Sequence, residues 1–233
     1  MVSSLEGKTA IVTGGAGALG RAVVACFEEA GANVVVVDRA AALESWQASE
    51  RRLPLAADLL DEADVARMTA AARGQFGRID ALICLAGGFF VDTPITDTPP
   101  LRLREQFELN LLSVYTCVHA LLPGMIADGG GAIVGVGSRP AVRPVPGAVA
   151  YAVAKLGVIK LMESVAEEYR EQGIRANAVI PSIIDTPANR RAMPDADFSR
   201  WVQPDQIAAV LRFLAGDDAA IISGAAIPVY GRA

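Results

Sequence analysis

The sequence predicts an α/β fold, a single-domain, doubly wound, seven-stranded parallel sheet with helices on both faces. Three observations carry this. Strand-like and helix-like stretches alternate from one end of the 233 residues to the other. The strand-like stretches, TAIVT at 9–13 among them, are continuously apolar rather than alternating, as strands covered on both faces are. No linker, charge block, internal repeat or low-complexity tract interrupts the chain, so residues 1–233 read as one domain.

Taken in order, residues 9–13 open the sheet and lead through a glycine-rich turn into a helix over 21–30, with Gly31 suited to its C-terminal cap. The second strand is 33–37. A helix over about 40–50, a short strand around 53–57 and a helix over 61–76 follow, then a fourth strand at 80–85. Residues 86–100 are a loop by their Gly and Pro content, and Pro99 and Pro100 start one long helix to about residue 127. A fifth strand at 131–137, a helix over 149–172 and a sixth strand at 174–180 come next. A loop over 182–201, a helix over 203–215 opened by Pro204, and a last strand over 225–229 complete the series.

Apolar residues make up 52 % and charged residues 20 %, a globular composition that excludes disorder. The net charge of −5 gives no basic footprint for nucleic acid. No apolar run approaches the roughly 18 residues that span a bilayer, and MVSSLEGKTAIVTG lacks the pattern of a signal peptide. Cys26, Cys84 and Cys117 read as reduced core thiols of a cytoplasmic protein, not as a disulfide set or a metal site. His119, the single histidine, reads as a helix-packing residue, and no metal is expected.

Chemistry concentrates at SRPAVRPVPGAVAYAVAK, residues 138–155. Tyr151 and Lys155 are four residues apart, one helical turn on the same face. An ammonium beside a phenol favours the phenolate and brings proton exchange toward neutral pH. Ser138, at the end of a strand-like run, can reach the same spot. Chance also produces this spacing, so the rest of the chain has to decide. Gly15, Gly17 and Gly20 satisfy G-x-G-x-x-G between the first strand and the first helix, where backbone N–H groups meet a pyrophosphate. Asp38 ends the second strand and either accepts from the adenosine ribose hydroxyls, which favours NAD(H) over NADP(H), or caps the next helix. Arg39 beside it would pair with a 2′-phosphate instead. Asp58 is placed for the adenine amino group or for a helix cap.

On these residues the chain resembles the short-chain dehydrogenase/reductase family, a Rossmann-type fold, over essentially its full length. The family's T-G-x-x-x-G-x-G falls on Thr13, Gly14, Ala18 and Gly20, with alanine for its middle glycine. Its N-N-A-G falls on Cys84, Leu85, Ala86 and Gly87, without the two amides. Its P-G-x-x-x-T falls on Pro181 to Thr186, with Ser182 for glycine. The resemblance implies a catalytic set of Asn110, Ser138, Tyr151 and Lys155. It implies a nicotinamide cofactor held by Gly14, Gly15, Gly17, Ala18, Leu19, Gly20, Asp38, Arg39, Asp58, Leu59, Ala86, Gly87, Tyr151, Lys155, Pro181, Ile184 and Thr186. In that scheme Tyr151 exchanges a proton with a carbonyl oxygen, Ser138 orients that oxygen, and Lys155 lowers the tyrosine pKa. Asn110 positions a water linking Lys155 to solvent. Ile184 and Thr186 hold the carboxamide. A homodimer or homotetramer built on the long helices is also implied.

A narrower likeness, in ALICLAGG (81–88) and DTPANRRAMPDADFSRW (185–201), is to dihydropteridine reductase. The substrate is therefore expected to be a small carbonyl or alcohol, or alternatively a pterin, and a non-catalytic nucleotide-binding module is the reading from another class. Phe89, Phe90, Met193, Phe198 and Trp201 are expected to line an open pocket mouth. Arg139 and Arg143 flank it, either meeting an anionic substrate or simply solvated.

Overall fold

The computed structural model describes residues 4–90 and 93–232. Its strands are β1 (Thr9–Thr13), β2 (Asn33–Asp38), β3 (Arg52–Ala56), β4 (Ala81–Cys84), β5 (Gly131–Val136), β6 (Ile174–Pro181) and β7 (Ala226–Val229). They form one seven-stranded sheet in the order β3-β2-β1-β4-β5-β6-β7, every pairing parallel. The order reverses between β1 and β4. At such a switch point the connections leave in opposite directions and open a crevice beyond the C-terminal ends of the strands.

Alternation along the strands divides the core into two layers. Ile11, Val35, Leu82 and Ile133 point into one, with Val65 and Met68 of α3 (Glu62–Phe76), Cys117 and Leu121 of α5 (Ser113–Ala127), and Val158 and Met162 of α7 (Val149–Glu168). Val12, Val34, Ile83 and Val134 point into the other, with Phe27 of α1 (Ala18–Glu29) and Ile207 and Leu211 of α9 (Pro204–Ala215). Both faces are thus covered, and each such fully buried aliphatic or aromatic side chain stabilises the fold by roughly 2 kcal/mol. That two-sided burial is why the strands are apolar at successive positions instead of every second one.

Several boundaries differ from the sequence expectation. The first helix starts at Ala18, inside the glycine motif, and Gly31 at φ +89° follows its C-terminus. The helix expected over 40–50 is only α2 (Ala40–Leu43), and the chain then runs irregularly to β3. The loop expected over 182–201 contains α8 (Pro187–Ala192) and a short turn at Phe198–Arg200; the Thr186 hydroxyl caps α8 by accepting from Asn189 N at 3.1 Å. A further short helix, α6 (Arg139–Val142), follows β5.

The long helix is not uniform. It runs as α4 (Pro100–Phe107), widens into a π-turn over Glu108–Leu112, and continues as α5. Ser113 and Thr116 hydroxyls donate to the carbonyls of Leu109 and Leu112 at 2.8 and 2.9 Å, satisfying acceptors around the widened turn. Among the described residues, Pro100–Ala127 is long and apolar enough to cross a membrane by length and composition, which corrects the expectation that no segment is. Its buried side chains pack into the layer shared with α3 and α7. His119 is exposed and stacks on Tyr115 at 6.1 Å, rather than packing into the core. All three cysteines are free; Cys84 and Cys117 are buried, and Cys26 is only partly so.

Candidate active site

The crevice at the switch point is a cavity of about 970 Å³. Gly14, Gly17, Ala18, Leu19 and Gly20 form one wall, Asp38 and Arg39 with Ala56 to Leu60 another, and Leu85, Ala86, Gly87, Leu109 and Ser113 a third. The wall after β6 is Thr186, Pro187, Ala188 and Arg191.

The glycine turn is shaped by close backbone approach. Gly14 sits at φ +67°, the left-handed region that favours glycine. A Cβ on Gly20 would lie 2.2 Å from Gly14 O, so only glycine lets α1 start this close to the turn. The Asp38 carboxylate reaches back to the turn, accepting from Ala16 N at 3.1 Å and from Arg39 N at 2.9 Å. The N-cap of α1 is Gly17, and no side chain caps the helix, which leaves first-turn N–H groups facing the cavity. Those donors, the positive end of the helix and a ribose-reaching carboxylate fit a dinucleotide, as does the volume.

The departures from the family pattern have local solutions. The Ala18 methyl is exposed on the cavity wall and displaces nothing. Without the two amides at Cys84 and Leu85, backbone groups brace the β4 turn. Leu85 N donates to Thr13 O at 3.1 Å, Ala86 N to Thr13 Oγ1 at 3.4 Å, and Gly88 N to Asn110 Oδ1 at 3.0 Å. The Ser182 hydroxyl donates to Tyr230 O at 2.6 Å, tying the turn after β6 to the C-terminal segment.

Asn110, Ser138, Tyr151 and Lys155 are all buried beside this cavity. Asn110 occupies the π-turn, fully buried, its Nδ2 donating to Gln106 Oε1 at 3.0 Å. A Cβ on Gly87 would lie 2.6 Å from Asn110 Oδ1 and 3.2 Å from Lys155 Nζ. Gly87 lines the cavity, so this one glycine connects the cofactor crevice to the buried polar set. The Lys155 ammonium donates to Val136 O at 3.0 Å, and burial brings its pKa down from 10.5 to about 8. Burial also pushes the Tyr151 phenol up, and its hydrogen bond with the Ser138 hydroxyl opposes the rise. The ammonium is engaged with the β5 carbonyl, and the Ser138 hydroxyl favours the phenolate. Cys84 lies close enough to Lys155 for the ammonium to pull its thiol pKa down, though burial raises that pKa well above the usual value.

Of the other expected cofactor residues, Gly15, Pro181 and Ile184 do not line the cavity. Gly15 is tucked beneath β2, where a Cβ would meet Val36 Cγ1 at 2.8 Å. Pro181 is buried in β6, and Ile184 packs into the α1/α9 layer and bridges Val202. Asp58 lines the cavity, but its Oδ1 accepts from Leu60 N at 3.0 Å, while the cap of α3 is Asp61. Leu59 also lines it. Sequence reasoning missed Ala56, Ala57, Leu60, Asp64, Leu109, Ser113 and Arg191, which carry no motif and come together only through the sheet order.

The expected pocket mouth divides. Phe89 packs edge-on against Tyr151, with ring centroids 5.0 Å apart, and Phe90 lies under Arg102 at 5.8 Å. Trp201 is 6 % exposed and packs on Phe198 at 4.7 Å, so it is an internal prop of the segment before α9 and not an open wall. Met193 is half-buried at the end of α8. The Arg139 guanidinium lies over the Tyr230 ring at 5.5 Å, toward the C-terminal segment, and Arg143 is exposed.

Comparisons with known proteins agree with this geometry. A family model described as enoyl-(acyl carrier protein) reductase matches residues 14–231. The chain is 34 % identical to 4-formylbenzenesulfonate dehydrogenase of Comamonas testosteroni, over 98 % of each sequence. It is 33 % identical to 2-(R)-hydroxypropyl-CoM dehydrogenase of Xanthobacter autotrophicus, over 96 % of this chain and 97 % of that one. Among solved structures, a short-chain type dehydrogenase/reductase from Mycobacterium ulcerans superposes with a TM-score of 0.91 at 28 % identity, covering 98 % of this chain and 90 % of that one. The pterin and non-catalytic readings are not favoured by these relatives.

Proposed function

Because the chain belongs to the short-chain dehydrogenase/reductase family, we propose that Asn110, Ser138, Tyr151 and Lys155 perform its reaction and that its cavity takes NAD(H) in preference to NADP(H). The reaction class is NAD(P)-dependent interconversion of a carbonyl and an alcohol. The cofactor, when bound, supplies or accepts the hydride at carbon. The protein contributes placement and the proton.

One observation carries the assignment of residues: Tyr151, Ser138 and Lys155 are buried together, and Gly87 joins them to the cavity. Tyr151 gives its phenolic proton to the substrate oxygen during reduction and recovers it during oxidation. Ser138 hydrogen-bonds that oxygen and shares its interaction with the phenol. Lys155, still mostly protonated at pH 7, places positive charge where a phenolate forms. Asn110 holds the β4 turn in place through Gly88 N and presents its oxygen beside the ammonium. Phe89 supplies an apolar wall against Tyr151 for a small-molecule substrate.

The Asp38 carboxylate supports the NAD(H) preference, since a 2′-phosphate placed against it would be repelled. Residues 1–233 act as one cofactor-binding domain, in a homodimer or homotetramer formed through the exposed apolar side chains of α5 and α7, Tyr115, Val153 and Leu156 among them. The three free thiols suit the reducing cytoplasm, where we place the enzyme.

The test is Tyr151→Phe. Turnover with NADH and a carbonyl substrate should fall by about 10²- to 10⁴-fold, the range for a lost general acid, while the NADH dissociation constant stays within about twofold. Undiminished turnover would remove Tyr151 from the proton-donor role.

A further inference from the structure

We infer that Arg191 is a cofactor-binding residue whose guanidinium engages the pyrophosphate of the dinucleotide from the α8 wall. The inference rests on the dinucleotide reading of the cavity given above. Arg191 lines that cavity with Thr186, Pro187 and Ala188, on the side built by the segment after β6. The glycine turn lines it from the β1 side. A pyrophosphate lying along the turn is met there by neutral N–H donors, and a guanidinium on the facing wall adds the stronger, charge-assisted hydrogen bonds.

Apart from Arg191, the ionisable side chains that line the cavity are mostly acidic. Among the described residues its acidic side chains are Asp38, Asp58 and Asp64, and its cationic ones are Arg39 and Arg191. Arg39 follows directly on Asp38 at the end of β2, at the adenosine end. Arg191 is the cation on the opposite side of the switch point, reached from β6.

Its neighbour explains why Arg191 is available. Arg190 donates to both oxygens of Asp185, at 2.6 and 2.7 Å, and its guanidinium lies over the Phe198 ring at 4.8 Å. Gln203 Nε2 completes the lock on the same carboxylate at 3.0 Å. That clamp fixes the rotation of α8. The next residue, about 100° further around a helix, points elsewhere. Arg191 is exposed and makes no hydrogen bond or ion pair with the described residues. Its planar fork matches two phosphate oxygens, which a lysine ammonium does not.

The experiment titrates wild type, Arg191→Gln and Arg191→Lys with NADH, ADP-ribose and adenosine by calorimetry or competition. ADP-ribose carries the pyrophosphate and adenosine does not. Arg191→Gln should weaken ADP-ribose and NADH binding about tenfold or more, the scale of a charge-assisted hydrogen bond, and change adenosine binding less than about twofold. Arg191→Lys should fall between. Unchanged ADP-ribose affinity in Arg191→Gln overturns the inference, including the case where only the KM for the carbonyl substrate rises. An equal loss for adenosine overturns it too, because the effect would not be specific to phosphate. If wild type binds none of the three ligands, the dinucleotide reading itself fails; if wild type binds and the glutamine variant binds equally, only the Arg191 role fails.

Discussion

Lys155→Met should abolish turnover and yet stabilise the fold at neutral pH. The ammonium is 5 % exposed, has no carboxylate partner among the described residues, and has Val136 O as its hydrogen-bond acceptor. Burial takes its pKa from 10.5 to about 8. At about 1.36 kcal/mol for each pKa unit, keeping the charge buried at pH 7 costs on the order of 3 kcal/mol relative to the unfolded chain. Methionine has a similar length and no charge to desolvate. Losing the bond to Val136 O offsets about 1 kcal/mol, so the variant should be more stable by about 2 kcal/mol. The pH dependence identifies the cause. The folded lysine has the depressed pKa, so between pH 8 and 10.5 the unfolded chain binds the extra proton and wild-type stability rises with pH. The gap between variant and wild type should therefore close across that window. Burial raises the Tyr151 phenol, and that group is present in both proteins. Urea unfolding of the cofactor-free protein, followed by circular dichroism at pH 7, 9 and 10.5 and at one protein concentration, measures all of this. A variant no more stable than wild type at pH 7, or a gap that does not narrow with pH, would refute the reasoning.

Two further outcomes are expected. Asp38→Asn removes the negative charge beside the ribose site and weakens the tie to Ala16 N, so NADH affinity should fall about tenfold while NADPH affinity rises; cofactor titrations that leave the ratio unchanged would count against Asp38 as the discriminating residue. Tyr115→Glu puts a charge into the exposed apolar face of α5, and sedimentation should show a smaller assembly than wild type, whereas an unchanged mass would place the interface elsewhere.

The switch-point cavity shows how far the sequence could be read. Gly14 and Gly20 were legible because the one takes a left-handed backbone and the other leaves no room for a Cβ against Gly14 and Gly15, constraints that act within the turn itself. Asp38 was legible by its distance from that turn, and Tyr151 and Lys155 by helical spacing. Asp58 was legible only as a position: the carboxylate bonds its own turn, and Asp61 caps the helix. Trp201 failed as a pocket residue because an aromatic ring in a loop fills whatever apolar space lies nearest, here beside Phe198.

By itself, the sequence determined the period and order of the elements, and with them the parallel sheet, since continuous apolar strands separated by helices have to be covered on both faces. It also determined the reacting groups, whose types and spacings are local. The tertiary structure decided the environment of those groups. The π-turn that carries Asn110 leaves no trace in helical periodicity, because the same residues satisfy either winding. Lys155 turned out to be held by the Val136 carbonyl with its pKa lowered by burial, while Ser138 hydrogen-bonds the phenol. Arg191 reached the cavity only because β6 lies across the switch point from β2 and a neighbouring ion pair sets the rotation of α8. Such features depend on which distant backbones meet, and a sheet that crosses from β1 to β4 brings together residues more than 170 positions apart, as Gly14 and Arg191 are.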